Sequence, residues 1–279
     1  MHVARALPRL AVYLAWTLTL LPVQIVAVAL GWRLAERLPM FYHRGVCRIV
    51  GLVVERRGEV SQARPTLFAS NHSSYLDISV LGALIPGSFV AKREVASWPL
   101  YGLLAKLQRS VFIERRAGRA ARHRDEMGAR LAAGDNLILF PEGTSSDGNR
   151  VLPFKSALFG VAERRVDGRP ITVQPVSIGY SRCGGMPMLR IMRPFYAWYG
   201  DMELVGHFWR LLGLGPATVV VAFHPPVTIE AFESRKALTA HCEAVVAAGV
   251  SAAIHGVPPP VAAPGGPLDS ALPDATVEK

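Results

Sequence analysis

Cysteine is scarce in this 279-residue chain, and acidic residues are outnumbered. The three cysteines, Cys47, Cys183 and Cys242, lie far apart with no CxxC pair. That spacing argues against a disulfide framework and against a zinc site, and it suits the cytosolic side of a membrane. No internal repeat is visible, so a solenoid is not indicated. Asp and Glu number 21 against 31 Lys and Arg, a formal net charge of +10. Such a balance suits anionic partners: nucleic acid, an anionic membrane face, or acidic carrier proteins and substrates. A nucleic-acid reading is weakened because no basic stretch is interleaved with exposed aromatics and no reading-head motif occurs. Charge is absent altogether from residues 10–31, LAVYLAWTLTLLPVQIVAVALG.

That uncharged run is long enough to cross a bilayer, and a proline is tolerated in such a helix. A signal peptide is the alternative, since Ala27-Val28-Ala29 looks like a cleavage site, but the run is longer than a usual signal core. A buried core helix is disfavoured by apolarity on every side. We read an N-terminal membrane anchor. Arg5 and Arg9 precede it and Arg33, Arg37, Arg44 and Arg48 follow, a bias that places the body weakly on the cytoplasmic side of the inner membrane. Residues 32–50 mix Arg and aromatics with apolar residues and read as an interfacial helix.

Further on, apolar runs alternate with helical patterns. Strands are expected at 46–55, 65–70, 88–94, 110–115, 135–143 (the last running into a turn), 171–180 and 216–227, with helices at 74–84, 98–108, 117–133 and 155–166. Several strands are continuously apolar, which indicates an α/β fold with a mostly parallel sheet flanked by helices. Six prolines fall after residue 256, and that tail reads as disordered. The expected division is 1–38 anchor and interfacial helix, 39–256 body, and 257–279 tail.

Four polar stretches sit at predicted strand ends, where α/β folds place their sites. In NHSSYLD (71–77) the simplest reading is a polar turn before a capped helix. The sharper one makes His72 a general base held in one tautomer by Asp77. Five residues on a regular helix rotate about 500°, so the two meet only if His72 sits on an irregular turn. SVFIERR puts Arg115 beyond a buried strand, as a surface ion pair or as an anion clamp. LILFPEGTSSDGN ends a strand in Glu142-Gly143-Thr144, either an ordinary turn or a carboxylate that holds a headgroup or orders the site. Pro175 interrupts ITVQPVSIGY and demotes that strand to an edge or a bulge.

NHxxxxD, FIxR, FPEGT and an apolar-x-Pro segment, in this order over about 65–180, resemble the glycerolipid acyltransferase family, whose best-known members acylate 1-acylglycerol 3-phosphate. The resemblance implies an α/β acyltransferase domain at a membrane surface, with direct acyl transfer to a lysolipid hydroxyl. Acyl carrier protein or coenzyme A thioesters would be donors, with no cofactor and no metal. On that pattern His72 is the base and Asp77 its partner. Arg115, Glu142, Gly143 and Thr144 bind the acceptor, Pro175 shapes the acyl side, and Asn71, Phe112 and Pro141 support. Phosphatidate-forming members usually carry Arg after FPEGT; here the residue is Ser145. With SDGNRVLPFKSALF and WYGDMELVGHFWRLL, the chain is closer in appearance to the bacterial branch that acylates lyso-ornithine lipid. Phosphatidate synthesis, with Arg150 or Lys155 supplying the charge, stays open, as does a non-catalytic basic membrane scaffold.

Overall fold

A computed structural model describes residues 2–114 and 120–258. Two helices, α1 (Val3–Ala29) and α2 (Leu34–Val50), open the chain and pack on each other. The α2 helix swallows the first half of the strand expected at 46–55. Val46, Cys47 and Val50 share its buried face, and only the left-handed Gly51 (φ 83°), whose N–H bonds to Arg48 and Cys47 carbonyls, ends it. Glycine takes that conformation without the steric cost a side chain brings.

The strand β1 (Leu52–Arg57) follows, then β2 (Thr66–Ser70), α3 (Leu76–Gly82), β3 (Ser88–Lys92), α4 (Tyr101–Leu107), β4 (Val111–Ile113), α5 (Ala120–Ala132) and β5 (Leu137–Leu139). Beyond them come the long β6 (Thr172–Cys183), α6 (Leu204–Leu212), β7 (Ala217–Phe223) and α7 (Arg235–His255). The sheet order is β1-β7-β6-β2-β5-β3-β4. Every pairing along it is parallel except β7 with β6. The mostly parallel α/β sheet expected from the continuous apolar runs is therefore present.

Alternation along the central strands divides the core in two. Phe68 and Ile138 face a cluster with α1, α2, α3 and α6. Leu67, Ala69, Leu137 and Leu139 face the other cluster, with α5 and α7. All five residues of β2 are buried, as a strand covered on both faces requires.

One further expectation needs correction and another is narrowed. Residues 155–166 form a tight 3-10 run over Ser156–Glu163 followed by a short antiparallel pair, not an α-helix; Gly160, a weak helix former, sits in its middle. Of the edge or bulge expected at Pro175, the bulge is present, and the strand is interior. The ladder is interrupted there: Phe223 pairs with Val176 and Val227 with Val173, so three residues oppose two. Where the proline has no N–H to give, the Gln174 side chain bonds to the Glu59 and His224 carbonyls and accepts from Ser61. The tail expected to be disordered falls, beyond Pro258, outside the described residues.

Candidate active site

The chain leaves β2 through four residues without regular structure, and α3 starts at Leu76. Asn71 holds this exit to β6 like a further rung of the ladder: its amide accepts the Ile178 N–H and donates to the Ile178 carbonyl. The irregular turn brings the His72 Nδ1 to 3.0 Å from Asp77 Oδ2. The same carboxylate oxygen accepts the N–H groups of Ser73 and Ser74 at 2.7 and 2.9 Å. An ionised Asp77 can only accept, so Nδ1 carries a proton, and in the neutral imidazole Nε2 keeps its lone pair. The two serines of NHSS thus act through their backbone, bent around the carboxylate.

Further contacts fix the pair. Phe140, from the end of the β5 segment, stacks on the imidazole at 4.1 Å. Tyr180 on β6 donates its hydroxyl to Asp77 Oδ1 at 2.9 Å, and burial together with that carboxylate raises the Tyr180 pKa well above its ordinary value. Ser146 donates its N–H to the His72 carbonyl and Trp198 to the Ser73 carbonyl. Asp77 is fully buried, whereas the imidazole is about one-fifth exposed.

The FPEGT turn lies beneath the histidine. Glu142 Oε1 accepts the His72 backbone N–H at 2.9 Å. Burial pushes its carboxyl up to about 8, against the opposing pull of backbone N–H groups of His72 and Leu152. Glu142 is buried and outside the cavity wall, so in this geometry it orders the histidine loop. Gly143 and Thr144 do line the cavity, with Thr144 exposed. Pro141 is buried, and its carbonyl accepts the Lys155 N–H. Phe112 is half-buried on β4 opposite Ala91. Pro175 is buried in β6, away from the cavity lining. Arg115 falls outside the described residues.

The cavity holds about 410 Å3. His72, Phe140, Ser145, Tyr75, Trp98 and Trp198 line its mouth of reactive and aromatic groups, with Trp198 in ring contact with both Tyr75 and Trp98. From there it runs between α1, α2 and α4, past Leu20, Leu21, Leu38, Val46 and Leu104. The part played by Tyr75 escaped sequence reading, as did the partner of Ser145. Tyr75 hydrogen-bonds His207 on α6 at 3.0 Å, and Ser145 donates to the Trp198 carbonyl at 2.5 Å. The position where the resemblance expects Arg therefore ties the FPEGT turn to the 198–212 segment. Neither Arg150 nor Lys155 is among the residues lining the cavity.

A base with a free nitrogen at the wall of an apolar cavity suits removal of a proton from a hydroxyl carried on a lipophilic chain. The comparisons agree. A family model described as Acyltransferase matches residues 52–179. The chain belongs to the acyltransferase family. It is 44% identical over 252 residues to the lyso-ornithine lipid O-acyltransferase of Brucella abortus, covering 88% of this chain and 94% of that one. The relative of the same description from Rhizobium meliloti is 44% identical over 224 residues, 79% of this chain and 77% of its own. A 1-acyl-sn-glycerol-3-phosphate acyltransferase of Neisseria gonorrhoeae is 33% identical and covers 66% of this chain and 69% of its own. The fold is shared with the crystal structure of the 1-acyl-sn-glycerophosphate acyltransferase PlsC from Thermotoga maritima. Its TM-score is 0.60 at 22% identity, over 88% of this chain and 96% of that one.

Proposed function

We propose that this acyltransferase moves a fatty acyl group from a thioester to the free hydroxyl of lyso-ornithine lipid. The observation that carries the chemistry is the His72–Asp77 pair, with Nδ1 engaged and Nε2 free at the wall of an apolar cavity. Nε2 takes the hydroxyl proton as that oxygen attacks the thioester carbonyl. The new C–O bond forms, the C–S bond breaks, and the imidazolium returns its proton to the departing sulfur. No acyl-enzyme is needed. Asp77, held by Tyr180 and two backbone N–H groups, stabilises the imidazolium that forms between the two steps. The acyl chains occupy the apolar reach between α1, α2 and α4. Arg115 clamps the acceptor's carboxylate, and acyl carrier protein is the donor carrier, attracted by the net positive charge.

Acceptor choice rests on two supports: the identity shared with the Brucella and Rhizobium relatives, and Ser145. In this fold Ser145 is spent on the Trp198 carbonyl and offers no charge to a phosphate. The α1 helix is read as lying along one leaflet rather than crossing it. Arg9 donates to the Leu212 and Leu214 carbonyls, and Gln24, about 22 Å along the helix axis, donates to those of Ala35 and Leu107. Both ends are thereby fastened to the body, and the apolar side chains between them that point outward meet lipid. The positive flanks put that body on the cytoplasmic side.

The test offers membranes containing the protein both lyso-ornithine lipid and lysophosphatidate, with labelled acyl carrier protein thioester. Label is expected on lyso-ornithine lipid. Label on lysophosphatidate alone rejects the acceptor, and label on both makes the enzyme bifunctional. A His72→Ala control should lose at least about a hundredfold in rate, the scale of a general base. Substantial remaining activity would refute the role of His72.

A further inference from the structure

The connection between β6 and β7 carries an outward apolar surface that the chemistry above does not use. Met186, Leu189, Ile191, Phe195 and Val205 are 61 to 76% exposed, against at most 63% for any large apolar side chain on α1. Isolated exposed apolar residues are ordinary, but five within twenty positions are not. The segment is anchored, not loose. Arg193 is buried and donates to Asn149 Oδ1, the Met188 carbonyl and the Tyr180 carbonyl. Backbone groups of Phe195 and Ala197 face His207 on α6. The five side chains are therefore held outward by a fixed backbone.

The segment packs beside α1. Tyr13 on α1 meets Phe208 on α6 edge-on at 5.2 Å, and Arg9 donates to the carbonyls of Leu212, the last residue of α6, and Leu214. Arg182, Arg190 and Arg210 are exposed along the same stretch. Among the described residues, Arg182 and Arg190 form no ion pair. Apolar side chains rimmed by unpaired arginines match a bilayer with anionic headgroups. The inner side of the same segment supplies Trp198, Leu204 and Phe208 to the cavity wall.

We propose that residues 186–205 form a second bilayer-docking surface, which together with α1 seats the cavity against the leaflet so that a lipid acceptor enters without crossing water. The proposal rests on the membrane reading of α1 but not on the identity of the acceptor. A rival occupant would be a second copy of the chain.

Spin labels on the full chain test it. Cys183 is replaced by Ser, while Cys47 and Cys242 are buried and stay. Single labels are placed by Ile191→Cys and, as reference, Leu18→Cys, and the protein is bound to phosphatidylcholine vesicles with phosphatidylglycerol. Both labels are expected to be more accessible to oxygen than to a water-soluble nickel chelate. A Leu18 label in lipid with an Ile191 label in water overturns the proposal and leaves the α1 reading intact. Both labels in water overturn both. An Ile191 label shielded from oxygen and nickel alike shows a protein partner there and also overturns it. As an independent arm, Ile191→Asp with Phe195→Asp should raise the lipid concentration for half-binding about tenfold. Thermal unfolding in detergent should match the parent, because neither side chain packs inside. Unchanged vesicle affinity in a folded double variant overturns the proposal.

Discussion

At the residue scale the site is an arrangement of hydrogen bonds around one carboxylate. Tyr180 is the member whose removal reads most clearly. Its hydroxyl spreads part of the Asp77 charge; in Tyr180→Phe that charge falls more fully on His72 and favours the imidazolium. The acid limb of the kcat/KM profile should therefore move to higher pH, with kcat lower by about tenfold, the cost of one hydrogen bond to a charged group. A residue that merely packed would lower the rate at every pH without moving the limb. Glu142 gives the second prediction. Its folded carboxyl titrates near 8 against an ordinary 4.5 because burial disfavours the charge. The folded state thus binds this proton more tightly than the unfolded chain does. Its contribution to stability is full below about 4.5 and is lost as pH rises through about 8. Glu142→Gln keeps an acceptor for the His72 N–H and cannot ionise, so thermal unfolding followed between pH 5 and 9 should lose this component of the decline. The His72–Asp77 pair was readable because both partners fall within seven residues of one polar stretch. Tyr180 was not: it is 103 residues from Asp77, and only the register of β6 on β2 brings it there.

Elements were legible where pattern and length agreed. The strands of the central sheet read correctly because burial on both faces leaves an unbroken apolar run. Boundaries failed where a single backbone conformation decides them. The first strand was placed too early because Val46–Val50 is as apolar as a strand, and the left-handed Gly51 is what separates it from β1. The α7 helix left little periodic trace, since its Ala- and Val-rich sequence presents no polar stripe against β6. Only its ends mark it, Ser234 capping the Ala237 N–H and Gly256 in the left-handed region. Gly51 supports a prediction at this scale. Alanine there would hold a left-handed conformation at a cost of about 1–2 kcal/mol, and its Cβ would fall 2.4 Å from the Arg9 guanidinium. The melting temperature of Gly51→Ala should drop by about 2–4 °C or more, and the bonds from Arg9 to the end of α6 should loosen with it.

For the whole molecule, the question is whether α1 is only an anchor. An anchor can be deleted from an enzyme assayed in detergent with little harm to turnover. Here α1 supplies Tyr13, Thr17, Leu20, Leu21 and Gln24 to the cavity wall, Arg9 to the α6 carbonyls, and Ala6 and Tyr13 to the core cluster that includes Phe68 of β2. The sequence disclosed the helix but not this docking, because the polar groups that fasten it, Arg9 and Gln24, have partners more than eighty residues away or on another helix. A chain lacking residues 2–30 should therefore bind membranes more weakly and also lose acyl transfer in detergent, where no membrane is required. The effect should fall on both kcat and the KM for the lipid acceptor, since one side of the acyl cavity would open to water. The comparison variant is Arg9→Met with Gln24→Leu, which keeps the apolar helix and removes its fastening. It should still bind vesicles and show the detergent defect in milder form. Full activity of the truncated chain in detergent would mean that α1 serves attachment alone and that the cavity is completed by the domain without it.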